Sequence, residues 1–227
     1  MPGRPRGHTE GGGEPESTPS RPHGTHAGGH AGSVRQEEDA VAEVAQAGRA
    51  GGRGAGRGGS PGSSTNDRVT ARTGTVGGTP DGRPTRIPPA ADDEVQLSLE
   101  LENSGAARLA DNGYRVKQNP TPDEVAQARQ ATGDTGNPRK NPDYLVEGRV
   151  FDCYSPTNPS KSVRGIWDAV EDKVVVKKQT QRVVVNLENW RGDLSALRQQ
   201  LGGWPIEGLK EVKAILPDGD IVQIDLP

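Results

Sequence analysis

The segment NPDYLVEGRVFDCYSP, residues 141–156, places two apolar runs on either side of Glu147 and Gly148. A two-residue turn at these positions predicts a β-hairpin that carries an aspartate on each strand. The opposed pairs would be Val146 with Arg149, Leu145 with Val150, Tyr144 with Phe151, and Asp143 with Asp152. Like charges directly opposite each other destabilise an antiparallel pair, so a cation is expected between the two aspartates. Glu is a poor first residue for a type I′ turn, and a three-residue loop would shift this register by one.

The sequence around the hairpin predicts a mixed α/β domain. Residues 95–102 alternate like a strand, but Leu99, Glu102, Ala106 and Leu109 recur at helical spacing, which favours a helix ending at Gly113. That helix places Glu102 on an apolar stripe, where an unpaired carboxylate is costly. Further helices are predicted at 121–132, 163–178 and 193–203, strands at 114–120 and 181–188, and a second hairpin at 211–226.

Composition divides the chain into two parts. Every Trp, Tyr, Phe and Cys lies after residue 113, whereas the first 93 residues are rich in Gly, Pro, Ser and Arg, as in GGRGAGRGGSPGSS at 51–64. Without apolar runs to offset the entropy of ordering, residues 1–93 are predicted to be disordered and residues 94–227 to form the folded domain. The Gly/Arg tract fits a flexible linker, with binding to RNA or another polyanion as the alternative.

Charge and cysteine content restrict the function classes only weakly. The formal net charge is −3, but basic residues concentrate in one stretch and predict a local basic patch, with a solvated helix face as the alternative. The members of this stretch are Lys161, Arg164, Lys173, Lys177, Lys178 and Arg182. The single Cys153 excludes an internal disulfide. No apolar signal segment or membrane span is visible in the sequence, so neither a cleavable signal nor a membrane anchor is predicted.

The single cysteine and the three tryptophans are predicted to have structural roles. Cys153 is predicted to be a buried side chain and not a nucleophile, because no histidine follows residue 30 to activate it. Trp167 lies on an apolar helix stripe, which indicates a core position. Trp190 and Trp204 flank the last predicted helix, where packing is favoured over stacking on a nucleic-acid base.

The two hairpin aspartates predict a specific chemistry. Carboxylates that converge on one face suit a hard divalent cation with positions left open to water and phosphate oxygens, and such a site hydrolyses phosphodiesters. A nearby lysine can orient the water or stabilise charge on phosphorus. In the structural alternative, Asp143 caps the preceding loop and Asp152 points to solvent at a sheet edge.

The order of these elements resembles the PD-(D/E)XK nuclease core, with Glu102 on a helix, then Pro142-Asp143, then Asp152-Cys153-Tyr154. Tyr154 stands where that pattern has lysine, and Lys173 on the following helix is the candidate to replace it. The segments 99–120, 140–156, 172–190 and 204–212 are also similar to the C-terminal tRNA nuclease domain of bacterial contact-dependent growth inhibition (CdiA-type) toxins and related polymorphic toxins. This similarity covers nearly all of 97–227.

The resemblance implies an RNA endonuclease that cleaves tRNA in a competing cell and is neutralised in its producer by a cognate immunity protein. It also implies a secreted effector that acts in the cytoplasm of the target cell. Mg²⁺ is the expected cofactor, with metal-independent cleavage as the alternative. A DNA endonuclease on the same core and a catalytically inactive nucleic-acid-binding module are the alternative functions.

The resemblance assigns roles to individual residues. The catalytic residues would be Glu102, Asp143, Asp152 and Lys173, with Asp143 and Asp152 holding the metal. The substrate-binding residues would be Tyr154, Lys161, Arg164, Lys177, Lys178 and Gln179.

Overall fold

The computed structural model describes residues 69–227, and the disorder predicted for residues 1–68 lies outside the described part. A seven-stranded mixed sheet has helices on both faces, which confirms the mixed α/β class. The helices are α1 (Asp93–Asp111), α2 (Pro122–Thr132), α3 (Val163–Glu171) and α4 (Leu194–Gly203). The strands are β1 (Asp81–Gly82), β2 (Val116–Gln118), β3 (Tyr144–Val146), β4 (Arg149–Tyr154), β5 (Arg182–Asn186), β6 (Glu211–Ile215) and β7 (Ile221–Ile224).

Strand order in the sheet follows chain order, and β4 is the strand on which the site depends. The strands β4, β5 and β6 are parallel, whereas β2, β3 and β4 form an antiparallel meander and β6 and β7 a hairpin. The first half of β4, Arg149 to Phe151, pairs with β3, and its second half, Asp152 to Tyr154, pairs with β5. The partner of β4 therefore changes at Asp152.

The sheet is buried on both faces. Val184 faces the core under α1 together with Tyr144 and Phe151, and its neighbours Val183 and Val185 face the core under α3 and α4. A strand covered by helices on both sides reads as a continuous apolar run, because neither face contacts water. This accounts for the unbroken valines of β5.

The β3–β4 turn has two residues, as predicted, and its first residue is held by the chain that precedes α1. Glu147 and Gly148 have φ angles of 51° and 75°, the left-handed values that a type I′ turn requires. The Glu147 carboxylate accepts hydrogen bonds from the backbone N–H and hydroxyl of Thr73, at 2.8 and 2.6 Å, and from the backbone N–H of Arg115 at 2.9 Å. Burial alone would raise the pKa of Glu147, but these bonds lower it. The side chain thus compensates for an unfavourable backbone conformation.

The predicted helices are confirmed, with one local change. Thr121 and Glu124 form the capping box that begins α2, and Asp193 caps α4. The helix predicted over 163–178 ends its α-helical part at Glu171 and continues as a π-helical segment, Asp172–Val176. The N–H of Lys177 donates to the carbonyl of Asp172 at 2.7 Å, the i to i+5 spacing of a π turn.

The predicted start of the folded domain at residue 94 lies too late in the chain. Residues 69–92 contain β1, which pairs in parallel with β2, and several threonines that bond to carboxylates. Thr70 donates its N–H and hydroxyl to the two carboxylate oxygens of Glu211 at 2.9 and 2.6 Å. Composition misses this order because polar hydrogen bonds, and not apolar burial, hold the segment in place.

A buried ionic network lies where β5 and β6 begin. The Arg182 guanidinium bonds Asp134 at 3.2 Å and Glu211 at 2.7 Å, and all three side chains are at most 2 % exposed. Lys213 contacts the other oxygen of Glu211 at 2.9 Å. Burial alone would raise the pKa of Asp134, but the hydrogen bond from Lys210 and the charge of Arg182 lower it. The stability of the fold therefore depends on the basic side chains that neutralise the carboxylates of this network.

Candidate active site

Asp152 is fully buried at the point where β4 changes partner. Its Oδ2 accepts a hydrogen bond from the Lys173 Nζ at 3.0 Å, and Lys173 itself is only 9 % exposed. Lys173 lies in the π-helical segment that follows α3. The cation predicted beside the hairpin aspartates is therefore Lys173, which reaches β4 from the helical layer.

Asp143 lies just before β3 and contacts the opposite strand through its side chain. Its Oδ2 accepts the backbone N–H of Cys153 at 2.7 Å, and its carbonyl accepts the N–H of Asn119 at 2.9 Å. Burial raises the pKa of Asp143 well above its usual range, and the charges of Asp152 and Glu102 raise it further. Burial alone would raise the pKa of Asp152, but the charge of Lys173 and the hydrogen bonds from Asp143 and Lys173 together lower it. The proton of this acid pair therefore belongs on Asp143.

Glu102 approaches the pair from α1. Its charge contributes to the raised pKa of Asp143, so the helix and the hairpin meet at one site. The Tyr144 hydroxyl donates to the backbone carbonyl of Glu102, and the Thr85 hydroxyl donates to its carboxylate. The expected cost of a carboxylate on the apolar stripe is thus reduced by a polar partner from the segment before α1.

Asp143 and Asp152 offer carboxylate oxygens that could bind a divalent cation. Oδ1 of Asp152 is buried and has no hydrogen-bond partner within residues 69–227, so it is an acceptor without a donor. That same part of the chain holds no cluster of three or more His, Cys, Asp or Glu side chains with metal-binding geometry. Mg²⁺ keeps several water ligands and is commonly held by one or two carboxylates together with substrate phosphates. Asp143 and Asp152 fit that pattern.

The predicted substrate-binding residues of α3 and β4 are dispersed. Lys161 is exposed before α3 begins. The Arg164 guanidinium bonds Asp168 at 2.8 Å and stacks over the rings of Trp167 and Trp204, at 4.3 and 4.8 Å from their centroids. Tyr154 is half-buried and packs against the core under α3 and α4.

The residues after the π-helical segment also differ from one another. Lys177 forms an ion pair with Asp172 at 3.5 Å, Lys178 is exposed with a φ of 53°, and Gln179 is buried. Lys173 and Arg182 are buried as well, so the prediction of a contiguous basic surface patch is wrong for these two. Both enter the interior because they neutralise buried carboxylates.

Cys153 and two of the three tryptophans are buried, as predicted, whereas Trp204 is exposed. Cys153 is buried, and burial raises the pKa of its thiol, which disfavours the thiolate needed by a nucleophile. Trp167 and Trp190 are buried, and their indole N–H groups donate to the carbonyls of Trp204 and Lys161. Trp204 is 52 % exposed, so packing accounts for only part of its ring.

Three polar residues of the site carry no signal in the sequence pattern. Thr85, Asn103 and Asn119 connect the segment before α1 to Glu102 and Asp143. Thr85 lies in a Pro/Gly-rich stretch, and Asn119 precedes the proline that ends the strand predicted at 114–120. Nothing in their spacing distinguishes them from ordinary turn residues.

We expect Asp143→Asn to raise the thermal stability of the fold. The folded state favours the neutral carboxyl, so the stability from protonated Asp143 is complete below its usual pKa of 3.8 and is lost as the pH rises through the raised value. The amide oxygen of asparagine can still accept the Cys153 N–H. The melting temperature should exceed that of the wild type by about 2 °C or more at pH 8, and the difference should shrink towards pH 4. A melting temperature that is lower at pH 8 would contradict this charge assignment.

Comparison with known proteins gives three results. The family model described as contact-dependent growth inhibition CdiA C-terminal domain matches residues 140–221. The "tRNA nuclease CdiA-2" of Burkholderia pseudomallei (strain 1026b) is 36% identical over 140 residues, which is 62% of this chain and 4% of that protein. The chain thus spans about 4% of the length of this curated relative.

The third result is a solved structure. It is the "CdiA-CT/CdiI toxin and immunity complex from Burkholderia pseudomallei", which superposes with a TM-score of 0.54 at 36% sequence identity. The match covers 65% of this chain and 99% of the chain in that structure. The whole of that solved chain therefore has a counterpart here.

Proposed function

This chain belongs to the contact-dependent growth inhibition CdiA C-terminal domain family, and on that basis we propose that its domain is a tRNA endonuclease. The observation that carries the proposal is the buried pair of Asp152 and Lys173 beside Asp143. Two carboxylates and an ammonium group at one point suit phosphodiester cleavage, in which charge accumulates on phosphorus. The similar Burkholderia protein is named a tRNA nuclease, which supports tRNA as the substrate.

The chemistry follows that of PD-(D/E)XK nucleases in this proposal. Asp143 and Asp152 would hold a divalent cation, Mg²⁺, which would supply Lewis-acid stabilisation of the charge on phosphorus. Lys173 places a fixed positive charge next to the same carboxylates and orients the attacking water. Glu102 accepts a hydrogen bond from that water. Tyr154 stands where the PD-(D/E)XK pattern has lysine, and its phenol carries no positive charge. In this proposal Lys173 supplies that charge instead.

The surface around the acids contributes to substrate binding. Lys161 and Lys178 are exposed and suit contacts with phosphates, which lysines make as point charges. Arg164 forms an ion pair with Asp168, but its side chain remains exposed. Its guanidinium lies over the exposed indole of Trp204, so both groups can contact substrate. Tyr154, Lys177 and Gln179 contribute less in this proposal, because burial or ion pairing already engages them.

An immunity protein and delivery to another cell complete the proposed role. The similar solved chain comes from a toxin and immunity complex, which supports a cognate immunity partner for this chain. We place the chain as a secreted effector that acts in the cytoplasm of the target cell. Among residues 69–227, no helix is long and apolar enough to cross a membrane.

Expression of the full chain in a bacterial host tests the proposed function. Wild-type protein should arrest growth and convert tRNA into discrete fragments, whereas Asp152→Asn should do neither. Asp168→Asn is a matched control, because it removes an exposed carboxylate that is paired only with Arg164 at the surface. Growth arrest with intact tRNA and degraded chromosomal DNA would instead support a DNA endonuclease. Normal growth with intact nucleic acids would support a binding module.

Metal dependence is a separate prediction. Chelation of divalent ions by EDTA should slow tRNA cleavage by about 10²-fold or more, because a bound cation contributes several kcal/mol to stabilising the charge on phosphorus. Excess Mg²⁺ should restore the rate. The measurement is the initial rate of cleavage by the full chain in parallel reactions. An unchanged rate in EDTA would leave Lys173 as the source of charge stabilisation and would contradict the proposed metal site.

A further inference from the structure

Residues 81–86, DGRPTR, form a short segment that we call the arm, and it is attached to the site through Thr85. The Asn103 side chain bonds both backbone groups of Thr85: its Oδ1 accepts the N–H at 2.8 Å and its Nδ2 donates to the carbonyl at 2.9 Å. Earlier in the arm, Asp81 and Gly82 pair with β2. The arm is therefore fixed along its length by backbone bonds to the folded domain.

The Thr85 hydroxyl has a defined orientation. It donates to Oε1 of Glu102, and the Asn119 Nδ2 donates to it at 2.9 Å. A hydroxyl has one proton, and the amide of Asn119 occupies one of its lone pairs, so that proton is directed to Glu102. The backbone N–H of Asn119 also donates to the carbonyl of Asp143 at 2.9 Å. Thr85 and Asn119 thus link the acid on α1 to the acid on the hairpin.

We infer that Thr85 is a positioning residue that holds the Glu102 carboxylate towards Asp143, so that the arm is a required part of the nuclease. The inference rests on the proposed function. A carboxylate on a helix surface samples several rotamers, and a fixed hydrogen bond from a second residue selects one of them. Outer residues that orient an active-site ligand change activity by about 10- to 100-fold when they are replaced.

Thr85→Val tests the hydroxyl with almost no change in shape. In the full chain, kcat for tRNA cleavage should fall by about 10-fold or more with KM unchanged, because the altered group does not contact substrate. Thr85→Ser keeps the hydroxyl and should retain most of the wild-type kcat. A Thr85→Val enzyme with wild-type kcat, or a Ser variant as slow as the Val variant, would overturn the inference while leaving the proposed function intact.

A double-variant comparison separates positioning from loss of stability. In a Glu102→Gln background, Thr85→Val should cause little further loss of kcat, since residues that act through one group are not additive. If Thr85→Val does not fold, Asn119→Gly provides a second test. Glycine accepts the φ of 51° at this position and removes the side chain whose Nδ2 donates to the Thr85 hydroxyl at 2.9 Å and to the Arg83 carbonyl at 2.8 Å. An unchanged kcat in Asn119→Gly, or additive losses in the double variant, would overturn the inference. If the wild type does not cleave tRNA, that result contradicts both the proposed function and the inference about Thr85.

A second observation concerns charge on the same arm. Arg83 and Arg86 flank Thr85 and are exposed, and neither guanidinium has an ion pair or hydrogen bond with any part of 69–227. Two other exposed arginines of the domain do have carboxylate partners: Arg108 pairs with Glu188 at 2.9 Å and Arg115 with Glu147 at 3.0 Å. Arg83 and Arg86 lie within two residues of Thr85, whose hydroxyl donates to the Glu102 carboxylate. We propose that Arg83 and Arg86 bind phosphates of the RNA substrate.

Binding measurements test these arginines without reference to turnover. The dissociation constant of total tRNA for the Asp152→Asn protein is measured against salt concentration, with and without Arg83→Ala and Arg86→Ala together. The double change should weaken binding, and the slope of log affinity against log salt should decrease by about 0.7 to 0.9 for each lost phosphate contact. Arg198→Ala, an exposed arginine on α4, is the matched control and should change neither quantity as much. An affinity and slope equal to those of the control would overturn the proposal.

Discussion

Asp152→Asn should reduce tRNA cleavage by about 10³-fold, since the loss of one charge-stabilising group from a preorganised site has effects of this size. The Asp152 carboxylate is fully buried and bonds Lys173 at 3.0 Å, and its Oδ1 has no donor within residues 69–227. Asparagine preserves the shape of the side chain but removes the charge that orients the lysine and suits a cation. The measurement is the initial rate of cleavage by the full chain, with circular dichroism to confirm the fold.

Asp168→Asn is the control for this prediction. It also replaces an aspartate that bonds a basic side chain, Arg164 at 2.8 Å, but it lies on the exposed face of α3. Its rate should stay within a few-fold of wild type, because exposed ion pairs contribute little. A folded Asp152→Asn protein that cleaves as fast as the control would contradict the assignment of Asp152 to the catalytic centre.

Arg182→Met should destabilise the fold by about 3–5 kcal/mol, the usual cost of removing one partner from a buried ionic group. The Arg182 guanidinium bonds Asp134 and Glu211, whose side chains are at most 2 % exposed. Without it, two carboxylates lose a cation in a place where water cannot replace it. The measurement is urea unfolding, compared at equal m-values so that the midpoint reports stability.

Arg108→Met is the comparison for Arg182. Arg108 also pairs with a glutamate, Glu188 at 2.9 Å, but its side chain is 45% exposed. The expected loss there is about 1 kcal/mol or less, as for surface ion pairs in general. Equal losses for both variants would show that the network at the start of β5 and β6 contributes no more than a surface pair.

The hairpin was predictable because several local signals agree. The apolar runs around Glu147 and Gly148 set both the turn and the register, and the observed pairs of Tyr144 with Phe151 and Val146 with Arg149 are those predicted. Helices with clear caps, such as α2 with its capping box, were equally accessible. Such features depend on residues close together in the chain, which is what pattern analysis can evaluate.

Features that depend on distant residues were not predictable. The family resemblance named Lys173 as a catalytic candidate, but the charge pattern also placed it in a surface patch, and its burial was not foreseen. Its burial depends on Asp152, which belongs to another element. Thr85 shows the same limit, because its partners Glu102 and Asn103 lie 17 and 18 residues further along the chain. Only a structure shows that a Pro/Gly-rich segment is attached to an acid of the site.

The two acids of the hairpin have different charge states for a physical reason. Lys173 bonds Asp152 and stabilises its charged form, whereas Asp143 faces the charges of Asp152 and Glu102 and favours its proton. An arrangement of like charges costs stability and persists in sites where it serves chemistry. This difference is what the higher melting temperature of Asp143→Asn at pH 8 should show.

The central claim is that the buried acids and Lys173 form a centre that cleaves tRNA. Its most direct test is incubation of the purified full chain with total tRNA and, separately, with linear duplex DNA, in Mg²⁺, beside the Asp152→Asn protein. The account predicts discrete tRNA fragments from the wild type, intact tRNA with the variant, and intact DNA with both. Intact tRNA with wild-type protein, or fragments that form equally with Asp152→Asn, would contradict it.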